Sequence, residues 1–125
     1  MILDTNALSA FAEGEHSATE RIAEARLIAL PAIVLGEYRY GIALSRRKTE
    51  YQRWLDELIP MCQVLDVDGE TAVRYATVRL ELRRAGTPIP VNDTWIAALC
   101  RQHSLPLLSQ DAHFDGVKGI RRIAW

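Results

Sequence analysis

Four acidic side chains stand where apolar residues or plain turn residues would be expected. Carboxylates are the groups that proton transfer and cation binding both need. Asp4 ends the apolar run Met1-Ile2-Leu3, and Asp111 follows the apolar run that closes at Ser109. Glu37 lies four residues after Ile33 and four before Gly41, on the helix face expected to bury Ile33, Tyr40, Gly41 and Leu44. Asp93 heads a stripe that continues through Ile96, Ala97 and Cys100 at i+3, i+4 and i+7. A carboxylate on a buried face costs on the order of several kcal/mol unless it is paired or binds a metal.

Each acid has a plainer reading by itself. Asp4 and Asp111 suit turns or helix caps. Glu37 suits a salt bridge, for instance to Arg39 of a neighbouring helix or chain. Asp93 gains from the dipole of a helix first turn, although Asn92 is the expected cap there. Together they are harder to dismiss. Four carboxylates on one edge would raise one another's pKa, and a hard divalent cation removes that conflict. An all-oxygen set suits Mg²⁺ or Mn²⁺. His113, two residues after Asp111, is the one histidine near these acids, so zinc is poorly served. Carboxylate sites of this kind commonly serve phosphate chemistry.

The elements that must hold these residues alternate in type. Met1-Ile2-Leu3 reads as a buried strand, with Thr5 or Asn6 capping a helix that Gly14 ends. Residues 17–25 read as a second helix with Ile22 inward. Residues 27–30 read as a strand stopped by Pro31, and 32–44 as a helix. Residues 46–58 form an amphipathic pattern with Tyr51, Trp54, Leu55 and Leu58 on one face. A strand is expected at 63–67. A long helix should open at Asp68 or Gly69 and run to about Arg84, with Val73, Ala76 and Leu80 inward, before Gly86 and Pro88 end it. A helix at 92–103 precedes strands at 105–109 and 120–124. This alternation predicts an α/β fold with a small parallel sheet covered on both faces.

The chain has 125 residues, which predicts one domain over 1–125. At 49% hydrophobic and 25% charged it is neither disordered nor collagen-like. Cys62 and Cys100 form no CxxC pair and read as buried thiols. The longest apolar run, 27–35, contains a proline and is far short of the ~20 residues of a membrane span. No basic segment leads into an apolar one at the start. A soluble, cytoplasmic protein is expected.

The motif series Asp4-Thr5-Asn6, Gly36-Glu37, Asn92-Asp93-Thr94-Trp95-Ile96-Ala97-Ala98 and Ser109-Gln110-Asp111-Ala112-His113-Phe114 resembles that of PIN-domain ribonucleases in order and spacing. Within them it is similar to the VapC-type toxins of bacterial and archaeal toxin–antitoxin pairs. The resemblance implies a three-layer α/β/α sandwich with a parallel sheet of four or five strands. It implies Asp4, Glu37, Asp93 and Asp111 as the catalytic metal cluster, holding one or two Mg²⁺ or Mn²⁺ ions. Thr5 and Ser109 would be supporting hydroxyls, and Asn6 would orient Asp4. The implied reaction cleaves single-stranded or looped RNA, leaving a 5′-phosphate and a 3′-hydroxyl. The implied partners are a VapB-like antitoxin and a second copy of the chain. Ser109 stands where threonine is more usual, and His113 where some relatives carry an acid, which leaves Asp111 as the acid of that motif. Asp115 is either a substitute acid or a solvated turn residue.

Arg46, Arg47 and Lys48 begin a helix, where the dipole does not explain a basic cluster, so they are the candidate contacts to RNA phosphates. Trp54, Leu55 and Leu58, beside Tyr38 and Tyr40, offer either a groove for an antitoxin helix or ordinary core. Two other functions remain open at this level. One is a non-catalytic RNA-binding module. The other is a metal-dependent phosphatase with Asp4 as nucleophile, although that pattern wants an acid at position 6, where Asn6 stands. The formal net charge is -1, but with the four acids set aside 15 basic residues face 12 acidic ones. A negative pocket in a mildly basic surface is the expected electrostatic form.

Overall fold

The apolar start of the chain becomes the centre of the sheet. In the computed structural model, which describes residues 1–125, β1 (Ile2–Leu3) lies between β2 (Ala29–Pro31) and β4 (Leu107–Leu108). Outside these run β3 (Gln63–Leu65) and β5 (Arg122–Ile123), giving the order β3-β2-β1-β4-β5 with every pair parallel. Ile2 sits opposite both Ala29 and Leu107, and all three are fully buried. Six helices flank the sheet: α1 (Thr5–Ala12), α2 (His16–Ala23), α3 (Ala32–Leu44), α4 (Lys48–Leu58), α5 (Gly69–Ala85) and α6 (Val91–His103). The α/β/α sandwich expected from the alternation is therefore present, with five strands. Strands of two or three residues suffice because the three central ones, β1, β2 and β4, are apolar and buried, while the outer β3 and β5 are partly exposed and carry Gln63 and Arg122.

Local chemistry sets the element ends. Asp4, rather than Thr5 or Asn6, is the N-cap of α1. Asp68 caps α5 in a capping box with Thr71, and Gly86 closes that helix in the left-handed region at φ 72°. Pro90, not Asn92, precedes α6. Arg47 stands just ahead of α4, so that helix starts later than its sequence pattern. β2 is shifted toward Pro31, because the Met1 amino group holds the Leu27 carbonyl at 2.7 Å and Ala29 N–H bonds Met1.

Two buried faces differ from expectation. On α5 the inward residues are Thr71, Val78 and Leu82, while Val73 and Leu80 are 66% and 46% exposed and Ala76 is exposed. Polar Thr71 and amphipathic Tyr75 disguise the true stripe. Thr71 is consumed by the cap and by Gln102 of α6, and Tyr75 stacks on Trp95 with centroids 3.9 Å apart. On α3 the buried stripe is Val34, Tyr38 and Ile42, not Ile33, Tyr40, Gly41 and Leu44. That helix is apolar almost all round, so its sequence permits two stripes. Packing against α1 and α4 selects one of them.

Of the apolar stripe on α4, most is used by the chain's own core. Leu55 and Leu58 are buried, and Trp54 packs edge-on against Phe11 and Tyr38 with centroids at 5.5 and 6.2 Å. Leu55 and Leu58 are core residues, and Trp54 is partly buried against that core. No helix is long and apolar enough to cross a membrane. The two thiols are unpaired, and burial pushes that of Cys100 up to about 12.

Candidate active site

β1 and β4 are neighbours, yet the chain leaves them toward opposite edges of the sheet: β1 leads to β2 on one side, and β4 leads to β5 on the other. The crevice beyond such a pair is where open α/β sheets bind ligands. Asp4 stands at the end of β1, while Ser109 and Asp111 stand just past β4. Asp4 is only 4% exposed. Its Oδ1 accepts the Ala7 N–H at 2.8 Å, which fixes the carboxylate at the first turn of α1. The buried Ser109 hydroxyl faces the same carboxylate, and its oxygen accepts the Asp111 N–H at 3.0 Å. Ser109 thus ties the ends of the two strands together. Asn6 is exposed and takes no part in holding Asp4.

Asp93 occupies the third position of α6, and Asp111 precedes a short 3-10 turn, Ala112–Gly116. That turn brings in His113, whose Nε2 lies 3.1 Å from Asp93 Oδ2. One ligand atom from each of Asp93, Asp111 and His113 falls within a span of 4.8 Å. One imidazole therefore stands among the candidate donor atoms beside the carboxylates. His113 was visible in the sequence, but its side-chain direction depends on the turn. That turn is anchored by the fully buried Phe114 and by Asp115, which forms a two-pronged pair with Arg122 at 2.8 Å on each arm. Asp115 is thus paired with Arg122 and is no free turn residue. Arg122 also donates to the Ser109 carbonyl at 3.1 Å. Nothing periodic in the sequence links a turn residue to an edge strand, so this clamp had no signal.

Burial raises the Asp4 carboxyl above its usual range; the Ser109 hydroxyl and Ala7 amide oppose this, and the charges of Asp111 and Asp93 add to it. Asp93 is raised first by burial, opposed by His113 and reinforced by Asp111. An acid raised in the folded state keeps a proton that the unfolded chain loses near pH ~3.9. Stability therefore falls as pH rises from that value through the folded pKa. With metal removed by chelator, an Asp4→Asn, Asp93→Asn double variant should show a higher urea midpoint than the parent at pH 7. The gain should close as pH falls toward ~4, where the parent carboxyls are neutral. A gain that persisted in acid would mean that charge burial is not its cause.

Glu37 is placed differently from the sequence argument. It is exposed on α3, so its position carries no burial penalty. It lines a cavity of about 280 Å³ together with Thr5, Ser9 and Tyr51, and a shallower depression with Asp66 and Asn92. It stands outside the group formed by Asp93, Asp111 and His113. Thr5 shares the first cavity, and its hydroxyl is buried with no hydrogen-bond partner. Of the basic cluster, Arg47 is engaged by Glu50 at 2.7 Å and by the Tyr51 hydroxyl at 3.1 Å, so its charge is already answered. Arg46 and Lys48 remain exposed.

These residues fit a divalent cation. Burial, reinforced by neighbouring carboxylates, raises the Asp4 and Asp93 carboxyls, and the buried Thr5 hydroxyl has no hydrogen-bond partner, which a coordinated water or phosphate would supply.

Comparison with known proteins agrees with this architecture. Residues 1–120 match the PIN domain family. Ribonuclease VapC2 of Rickettsia felis is 31% identical over 126 residues, covering 98% of this chain and 90% of that protein. A Salmonella typhimurium protein named tRNA(fMet)-specific endonuclease VapC is 29% identical, over 77% of this chain and 74% of its own. The structure of VapBC2 from Rickettsia felis bound to a fragment of promoter DNA superposes with a TM-score of 0.89 at 25% identity, covering 99% of this chain and 97% of that one. Fold, crevice and acid series lead to one placement: the chain belongs to the PIN domain family, among its VapC-type ribonucleases.

Proposed function

We propose that this protein is a Mg²⁺- or Mn²⁺-dependent endoribonuclease that acts in the cytoplasm as the toxin of a toxin–antitoxin pair. The observation that carries the reading is that Asp93 and Asp111 offer ligand atoms within 4.8 Å of each other, with buried Asp4 close enough for its carboxyl to respond to both charges, beyond the ends of two neighbouring strands. Asp4, Asp93 and Asp111 would hold the ion, with Glu37 completing the site from the cavity side. A bound divalent ion supplies charge neutralisation at the phosphate and lowers the pKa of the attacking water.

The chain's own residues do the rest. Ala7 N–H and Ser109 keep the Asp4 carboxylate in one orientation, so no reorganisation is needed during reaction. Thr5 offers its free hydroxyl to a phosphate oxygen or an ordered water. Arg46 and Lys48 are exposed and would meet RNA phosphates. The substrate class is single-stranded or looped RNA, with transfer or ribosomal RNA loops as its natural form. The tRNA(fMet)-specific name of the Salmonella typhimurium relative supports the first of these. An antitoxin partner belongs to the same reading, since the Rickettsia felis neighbour is a VapBC complex, and a homodimeric state is proposed with it.

Incubation with a panel of tRNA and rRNA fragments tests this. Cleavage should require Mg²⁺ or Mn²⁺, stop with EDTA, return on adding either ion, and leave 5′-phosphate ends. Binding should weaken as salt rises. Metal-independent cleavage, or a phosphoaspartate trapped at Asp4, would overturn the proposal.

A further inference from the structure

We infer that His113 is a metal ligand, so that the site of this chain is a mixed nitrogen–oxygen centre and not a purely carboxylate one. The inference rests on the reading of Asp93 and Asp111 as metal ligands. Three observations support it. His113 Nε2 is 3.1 Å from Asp93 Oδ2. In an octahedral ion with bonds of about 2.1 Å, neighbouring donors stand about 3.0 Å apart and opposite ones about 4.2 Å. The His113–Asp93 separation is that of neighbouring donors, and the 4.8 Å span with Asp111 needs only a small closure. The ring is also held in place. It packs against Phe114 with centroids 4.7 Å apart, and the fully buried Phe114 and the Asp115–Arg122 pair fix the turn on either side.

His113 Nε2 and Asp93 Oδ2 face each other. Ligation through Nε2 would use the neutral ring with its proton on Nδ1, leaving both facing atoms free to turn to the ion. A nitrogen donor favours transition ions over Mg²⁺, in the order Mn²⁺ < Fe²⁺ < Co²⁺ < Ni²⁺. The protein should therefore bind Mn²⁺ more tightly than an all-carboxylate site would, while Mg²⁺ gains little.

Mn²⁺ alone is the probe, read by electron spin-echo envelope modulation and by titration calorimetry without RNA. Parent protein with Mn²⁺ should show nitrogen-14 modulation. His113→Ala should lose it and bind Mn²⁺ about ten-fold more weakly, with a smaller change for Mg²⁺. His113→Gln gives the same comparison if the alanine variant does not fold. Bound Mn²⁺ without nitrogen modulation in the parent would overturn the inference and leave the carboxylate site standing. Modulation that persists in the variant would do the same, since His16 or His103 would then be its source. Parent protein that binds no Mn²⁺ would overturn both this inference and the metal site proposed above.

Discussion

Asp4→Asn should fold as the parent does and cleave RNA more slowly by at least about 10³-fold, the loss expected when several kcal/mol of ion-mediated stabilisation is removed. The amide is nearly the same size as the carboxylate and is as good an N-cap, so the bond from Ala7 N–H survives. What disappears is the negative charge, which is the property an ion at this position needs. The charge is also a burden on the metal-free fold, because burial already holds the carboxyl above its usual range. Activity and stability should therefore move apart: cleavage collapses, and the metal-free urea midpoint holds or rises. Asp4→Ala separates the two roles further, since it also loses the cap, worth about 1 kcal/mol. Single-turnover cleavage and urea unfolding on the same preparations decide the matter. Near-parental cleavage by Asp4→Asn would remove Asp4 from the catalytic set.

Phe114→Ala is expected to destabilise the fold by about 3–5 kcal/mol. That is a large share of the ~5–15 kcal/mol that holds a domain of this kind together. Phe114 is among the largest fully buried side chains, and it lies between His113 and Asp115 on the turn that carries one wall of the site. Removing it leaves a cavity beneath Asp111 and His113. Cleavage at saturating metal should then fall even at temperatures where the variant stays folded. Phe114→Leu keeps most of the volume and should cost under about 2 kcal/mol. Urea unfolding supplies the stability difference, and cleavage below the unfolding transition supplies the activity difference. An alanine variant with parental stability would mean that the turn is held without its aromatic anchor.

How much of this was legible in the sequence depended on whether a signal was local. Asp4 and Asp111 were placed at strand ends because an apolar run closing on an acid is a local pattern. Asp93 was placed because Ile96, Ala97 and Cys100 repeat below it at helical spacing, and all three are buried. Glu37 was selected by an argument that fails: it was set on a buried face, and it is exposed. An almost uniformly apolar helix such as α3 has no single hydrophobic direction, so periodicity could not choose between its stripes. α5 failed for the opposite reason. Its inward face is partly polar, with Thr71 bonded to Asp68 and Gln102, while its outward face carries Val73 and Leu80.

The alternation of short apolar strands with capped helices, the acids at their ends and the family resemblance needed only near-neighbour chemistry and could be read along the chain. The strand order could not, because it depends on which apolar segments meet across intervals of tens of residues. The joining of Asp4 to Asp111 through Ser109 and the approach of His113 to Asp93 depend on that order and on the packing of one turn. Tertiary packing likewise buried Leu55 and Leu58 and set the partly buried Trp54 against Phe11 and Tyr38, which their spacing alone left open. Residue spacing records which side chains share a face; which face turns inward is settled by the apolar area each packing removes from water.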